Sequence, residues 1–326
     1  MSFIYTPAQS STNLVKYAQH LKDTPGVPFG VPSLDKKVIP ARPGDVTAFV
    51  ARPGHGKSSL MSYLATATAK RIMAEGHPTL DQSQPGQAVL YVTWEQLIET
   101  QEGYIQSSKE YNSSDIHWGR ADMEAVKRAS VKRANLPLWV AGESYYSDKR
   151  YEPMYIDTLF DNIIEAKEKY NVQFELICFD YLQEIPVRTK GKEARHREVA
   201  EAIHGTKELA KAIKCPVHIG VQAKDAVDKT ATKIPNMGDT YFTSELDHVI
   251  DKGFGLLKAS RVYDRGETIG FKIGGVEYDI EVTDNLFIMN LFKQRHEAAN
   301  IRFPLLFDME NMTLGDLELR KTPLDY

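Results

Sequence analysis

Short apolar runs alternating with longer amphipathic stretches organise the chain from Asp45 onward. Nearly continuous apolar blocks at Val46–Val50, Ala88–Thr93, Leu136–Val140, Leu176–Phe179, Val217–Val221, Gly253–Leu257 and Leu286–Leu291 read as strands. Stretches of helical period at Ser58–Glu75, Tyr155–Tyr170 and Glu193–Lys214 read as helices, with Gly76 stopping the first. Strands apolar on both sides need helices on both faces of their sheet. The pattern therefore predicts an α/β protein with a mostly parallel twisted sheet. The glycine-bearing segment Asp264–Asp284 reads as a β-hairpin or a mobile insertion. Ahead of the sheet, Leu14, Val15, Ala18 and Leu21 recur at helical spacing, and Asp23-Thr-Pro-Gly26 ends that helix. It is either a terminal decoration or an arm that packs on a neighbour. No repeat period and no low-complexity tract interrupts the chain.

Composition narrows the function classes. The 326 residues carry 40 Lys+Arg against 44 Asp+Glu, a net charge of −4. That balance argues against a histone-like coat and leaves room for a local basic groove. No apolar run approaches the roughly 20 residues of a membrane span. Met1–Gln9 lacks the basic and apolar regions of a secretory signal. Cys178 and Cys215 sit in apolar segments without metal-ligand spacing, which reads as buried thiols in a reduced, cytoplasmic protein.

The chemistry begins at Ala51-Arg52-Pro53-Gly54-His55-Gly56-Lys57-Ser58, between a predicted strand and a predicted helix. It differs from the phosphate-loop pattern G-x-x-x-x-G-K-[ST] only in its first residue. Gly54 and Gly56 let backbone N–H groups converge on phosphate oxygens, and the helix N-terminus adds partial positive charge. Lys57 is placed to reach the β- and γ-phosphates, and the Ser58 hydroxyl to ligate Mg²⁺. Arg52 to Ser59 thus form the candidate ATP site. Three later strands end in polar groups where a parallel sheet presents its active residues. Asp180 is the candidate Mg²⁺-associated acid. Glu95 is the candidate base for the attacking water, or else a solvated loop glutamate. Gln222 is placed to sense the γ-phosphate.

In this order the motifs resemble the RecA-like ATPase domain of DnaB-type replicative helicases. The resemblance runs over roughly residues 25–308. It starts at Gly30-Val-Pro-Ser-Leu-Asp35 and Pro43-Gly-Asp45, and the phosphate loop is similar to the family's A-R-P-x-M-G-K-T. Trp94-Glu95 stands at its S-L-E, and Phe179-Asp180-Tyr-Leu-Gln183 at its Walker B strand I-D-Y-L-Q. Lys207–Gln222 and Lys293-Gln-Arg295 resemble its L-K-x-L-A-K-E-L-x-V-P-V-x-x-L-S-Q and its K-x-R. The resemblance implies a ring, a hexamer of identical chains, in which Lys293 and Arg295 complete the ATP site of the adjacent subunit. It also implies single-stranded DNA as substrate and a primase or helicase loader as partner. The chain divides into an arm, 1–24, and an ATPase domain, 25–326, without the N-terminal helical domain of full-length relatives.

Two departures from the family's pattern concern the DNA-contacting stretch and the shape of the finger loop. Asp239–Ser244 stands where the family has D-L-R-E-S-G and lacks its Arg and Gly, leaving backbone N–H groups and Tyr241 to touch a strand. His296–Asn300 replaces the N-G-P-x-G that follows the finger. Arg188, Lys190, Lys192, Arg195 and Arg197 lie where the family has a central-channel loop, and read equally as a solubilising loop. A RecA-like assembly or regulatory ATPase that does not unwind DNA, and a recombinase relative, are the alternative readings.

Overall fold

Val46–Ala51 is buried at every position, which only a strand covered on both faces and paired on both edges achieves. In the computed structural model this strand, β1, lies in a nine-stranded sheet. The structure describes residues 4–75, 85–147, 153–186, 188, 192–225, 227, 233–241, 243–273 and 276–318; Gly76, Gly274 and Gly275 lie outside them. The other sheet strands are β2 (Gly86–Thr93), β3 (Leu138–Ala141), β4 (Val172–Asp180), β5 (Val217–Gln222) and β6 (Lys252–Lys258). After a separate antiparallel pair, β7 (Thr268–Ile273) and β8 (Val276–Glu281), the sheet resumes with β9 (Leu286–Gln294), β10 (Ile301–Asp308) and β11 (Thr313–Asp316). The order across the sheet is β11-β10-β9-β6-β1-β5-β4-β2-β3.

The six strands from β6 to β3 run parallel, and β9, β10 and β11 continue antiparallel. The expected α/β class with a mostly parallel sheet is thus observed, as is the hairpin. β9 departs from the parallel reading because no helix separates the hairpin from it. The chain returns along β6 as a near neighbour. The strand expected from Leu136 starts at Leu138, since Leu138 N–H donates to the Leu136 carbonyl in a tight turn.

Helices fill both faces. On one side α2 (Pro32–Asp35) and α3 (Lys57–Ala74) pack through Leu34, Leu60, Met61 and Leu64 on Phe49, Tyr91 and Leu176. On the other, α7 (Ile156–Tyr170), α8 (Lys192–Ile213) and α9 (Thr243–Val249) pack through Leu159, Ile203 and Leu246 beneath Val50, Val92 and Phe179. Three helices that the periodicity did not announce, α4 (Ile98–Ile105), α5 (Ser113–His117) and α6 (Met123–Ala134), bridge β2 to β3. The Gly30–Asp35 motif has a structural role: the Asp35 carboxylate accepts from the N–H groups of Phe29 at 2.7 Å and Gly30 at 3.0 Å. The arm is helical over α1 (Pro7–Asp23), opened by a Thr6/Gln9 capping box, and buries none of its residues. Both cysteines are buried and free, with their thiols pushed up by burial.

Among the buried polar groups of the described residues, His218 leaves both its ring nitrogens unsatisfied. It lies on β5, is 1% exposed, stacks on Phe29 and meets Phe49 edge-on. Burial, helped by nearby Lys252, pushes it down to about 3, so the folded chain keeps a neutral imidazole. The unfolded chain takes up that proton below about 6.5. Stability from this residue is therefore complete above that pH and lost between it and about 3, by about 1.4 kcal/mol per pH unit. Urea unfolding of His218→Phe between pH 7 and 5 should show a shallower acid decline than the parent chain.

Candidate nucleotide site

β1 ends at Ala51 and α3 begins at Lys57, so the loop between them turns within five residues. Gly54 and Gly56 make that turn at φ 76° and 81°, and Gly56 is the N-cap of α3. A Cβ on Gly56 would clash only with the movable end of the Met309 side chain, so the left-handed backbone angle rather than space is what calls for glycine there. The loop borders a cleft of about 320 Å³. Lys57, Ser58, Ser59, Glu95 and Gln222 line it together with Arg52, Pro53, Gly54 and Gly56, so the residues expected at the phosphates share one cavity. His55 is the exception. It is buried, and its Nδ1 accepts from the Lys258 N–H at 3.3 Å, so it holds the loop against β6.

β4 delivers Asp180 to the same place. Its side chain is 1% exposed, with Oδ1 at 3.6 Å from Lys57 Nζ and Oδ2 accepting from the Tyr91 hydroxyl at 2.8 Å. Gly220 on the neighbouring strand makes room, since a Cβ there would lie 3.0 Å from Lys57 Cδ and 3.2 Å from Tyr181 Cβ. The Lys57 ammonium also sits 3.2 Å above the Tyr181 ring centroid. Burial lowers the Lys57 pKa, and the charges of Asp180 and Glu95 oppose the shift. Asp180 Oδ1 is buried and accepts no hydrogen bond. A hydroxyl at Ser58 and one such carboxylate oxygen are a fitting protein share for Mg²⁺, which draws its remaining ligands from phosphates and water. Among the described residues no cluster of three His, Cys, Asp or Glu side chains offers an all-protein metal cage.

Glu95 follows β2 on the cleft wall. Burial raises its pKa most, Lys57 opposes, and Asp180 and Glu184 raise it further. Gln222 ends β5, and its backbone is held by Gln183: the Gln222 N–H donates to Oε1 at 3.1 Å and the Gln183 amide donates to the Gln222 carbonyl at 3.2 Å. That reciprocal pair explains a glutamine three residues after Asp180.

Lys293 and Arg295 stand elsewhere. They lie at and just beyond the end of β9, level with the start of β6, whereas the phosphate loop leaves at the level of Leu256. That puts Lys293 about 10 Å and Arg295 about 16 Å down the sheet from the level where the phosphate loop leaves it. Lys293 donates to the Asp247 carboxylate at 2.8 Å and to its carbonyl. Arg295 donates to the His248 carbonyl at 2.9 Å and faces Asp251 at 3.4 Å. Asp251 in turn accepts from the Val46 N–H and from Lys207, at the root of β1.

The basic residues after Asp180 divide. Arg188 is exposed, pairs with Asp157 at 2.7 Å and stacks over Tyr155. Arg197 is exposed on α8. Lys192 and Arg195 belong to α8, and Lys190 lies outside the described residues. Tyr241 is 53% exposed, with Lys224 Nζ 5.8 Å from its ring centroid. The sequence reading missed Lys258, Arg261, Tyr104, Tyr181 and Met309 on the cleft wall. Lys258 was accessible to the rule that found Asp180, Glu95 and Gln222, because it ends a parallel strand.

Residues 26–251 match the family model described as DnaB-like helicase C terminal domain. The replicative DNA helicase DnaB of Leifsonia xyli subsp. xyli is 24% identical over 234 residues, 69% of this chain and 45% of that protein. The replicative DNA helicase DnaB of Mycoplasma genitalium is 22% identical over 232 residues, again 69% and 45%. The chain thus aligns with about half the length of these relatives. Among solved structures, the ATPase domain of G40P superposes with a TM-score of 0.73 at 16% identity, covering 94% of this chain and 98% of that one. A DnaB-like replicative helicase, described with its interactions with primase, gives 0.72 at 17% identity over 94% and 68%. These likenesses show the RecA-like fold.

Proposed function

The chain belongs to the DnaB-like helicase C-terminal domain family, and from that premise we propose that it is an ATP-hydrolysing motor of DNA replication. The proposed working form is a ring, a hexamer, that translocates on single-stranded DNA. The observation that carries the reading is the convergence of the phosphate loop, Lys57, Glu95 and Gln222 on one cleft, with Asp180 3.6 Å from Lys57 behind it.

In this proposal the N–H groups from Gly54 to Ser59 and the Lys57 ammonium hold the phosphates. Ser58 and Asp180 hold Mg²⁺, which when bound neutralises charge on the phosphate oxygens. Glu95 accepts the proton of the attacking water and Gln222 senses the γ-phosphate by hydrogen bonding. Lys293 and Arg295 serve the cleft of the next subunit, where positive charge stabilises the transferring phosphoryl group. Residues 1–24 form the arm that docks on a neighbour, and 25–326 the motor domain. Among the described residues no helix is long and apolar enough to cross a membrane; the proposed place of action is the cytoplasm, with a primase or loader as partner.

DNA contacts fall to Arg188, Lys190, Lys192, Arg195, Arg197 and Tyr241, directed at the backbone and salt-dependent. The changed Asp239–Ser244 stretch favours a second reading, a RecA-like assembly ATPase that does not unwind. ATP turnover measured with and without oligo-dT separates the two. Stimulation by the strand supports the motor, and a rate indifferent to it supports the second reading.

The proton-accepting role of Glu95 carries a pH signature. The base works ionised, so turnover falls as pH drops through its pKa. Burial puts that limb above the ordinary 4.5 of a glutamate. A pH–rate profile should show the acid limb in the parent chain, and Glu95→Gln should remove it together with most of the rate.

A further inference from the structure

Tyr91 belongs to no motif that led to the site, yet its hydroxyl makes the 2.8 Å bond to Asp180. The residue is fully buried in mid-β2, where an all-apolar side chain would satisfy the core. Polar side chains also lie behind the phosphate loop. Ser62 on α3 donates to the Ser58 carbonyl at 2.7 Å and accepts from the Gln101 amide at 2.7 Å. Ser62 and Gln101 are themselves completely buried. Two buried sets of hydrogen bonds therefore back the residues assigned to the metal, one running from α4 to the Ser58 carbonyl and the other from Tyr91 to the Asp180 carboxylate.

We infer that Tyr91 is a positioning residue that fixes the Asp180 carboxylate for the metal of the nucleotide complex. Its bond occupies Oδ2 and stops rotation about the carboxylate axis, so that Oδ1 is the oxygen left facing Lys57, which lines the cleft. Oδ1 is the oxygen left without a hydrogen bond. An ionised carboxylate this deeply buried needs donors, and a phenol supplies one without adding charge. The inference rests on the proposed ATPase reading, in which Asp180 faces Mg²⁺.

The test compares the parent chain, Tyr91→Phe, Asp180→Asn and the double variant, using Mn²⁺ as the probe. Mn²⁺ affinity is read by electron paramagnetic resonance in the presence of a non-hydrolysable ATP analogue, and analogue affinity is read separately in EDTA. Tyr91→Phe should weaken Mn²⁺ binding about ten-fold or more, the usual effect of removing a group that orients a ligand. Metal-free analogue binding should stay the same. In the Asp180→Asn background the tyrosine change should add nothing, and there it leaves no buried carboxylate short of a donor, so any folding cost of Tyr91→Phe itself is separated from its effect on the metal. Unchanged Mn²⁺ affinity in Tyr91→Phe, or an equal loss in both backgrounds, overturns the inference. If the parent chain itself binds no Mn²⁺ with the analogue, the ATPase reading fails first, which is a different result.

Discussion

Lys57→Ala is expected to lower ATP turnover by at least about 10²–10³-fold, the range seen when one donor to a developing oxyanion is removed. The side chain is 12% exposed and has no substitute at its position, because Asp180, Tyr181 and Gly220 close around it. The same change removes the cation facing a carboxylate that is 1% exposed. Breaking a buried pair from one side costs about 3–5 kcal/mol. Here the loss should fall at the low end, since Asp180 retains the Tyr91 hydroxyl as donor. Thermal unfolding therefore accompanies the turnover assay. A variant that hydrolyses ATP at the parent rate removes Lys57 from the proposed chemistry.

Arg295→Ala is the second large effect, about 10³–10⁵-fold in turnover if Arg295 acts as an arginine finger. The Lys57→Ala and Arg295→Ala chains should each be nearly inactive alone and partly active when mixed. An intact site then forms wherever an Arg295→Ala cleft meets the Arg295 of a Lys57→Ala neighbour. Random equal mixing in a cyclic assembly gives about one such contact in four. Recovery of activity on mixing supports donation between subunits, and no recovery argues against it. Inside its own chain Arg295 is engaged by the His248 carbonyl and by Asp251. Serving a neighbour requires the guanidinium to exchange those partners for phosphate oxygens.

The legible part of the fold was the part written in unbroken apolar runs. β1, β5 and β6 are buried on both faces, and their sequence has no polar phase to mislead. β10 was missed because Pro304 sits in its middle, a residue that normally argues against a strand. The structure accommodates it because the β11 ladder covers only Leu305–Asp308, leaving that end of β10 open on one side. α4 and α6 were missed for a different reason. α6 buries only Ala125, and α4 buries Gln101 and Gly103 alongside Ile105, so neither carries an apolar stripe.

The cleft divides in the same way. Residues at strand ends were legible because sheet topology alone assigns them a place: Glu95 and Gln222 share the cavity, and Asp180 stands 3.6 Å behind the Lys57 that lines it. Tyr91 was invisible because within an apolar run a tyrosine counts as core until its hydroxyl finds a carboxylate. Arg261 and Met309 were invisible because they come from segments far along the chain that fold back over the loop. His55 was legible by position but not by direction, since a loop motif does not say which way each side chain points.

The arm has a thermodynamic consequence of its own. α1 is a 17-residue helix with a capping box and no buried residue, while Leu14 and Val15 stand 65% and 69% exposed. In the single chain its energetics are those of a peptide, and helices of this length are only marginally stable in water. Whatever covers Leu14 and Val15 would supply the missing free energy, tying coil-to-helix conversion to association by mass action. If the proposed docking of the arm on a second copy holds, the ellipticity of this one segment should rise with protein concentration, and a flat dependence argues against that docking.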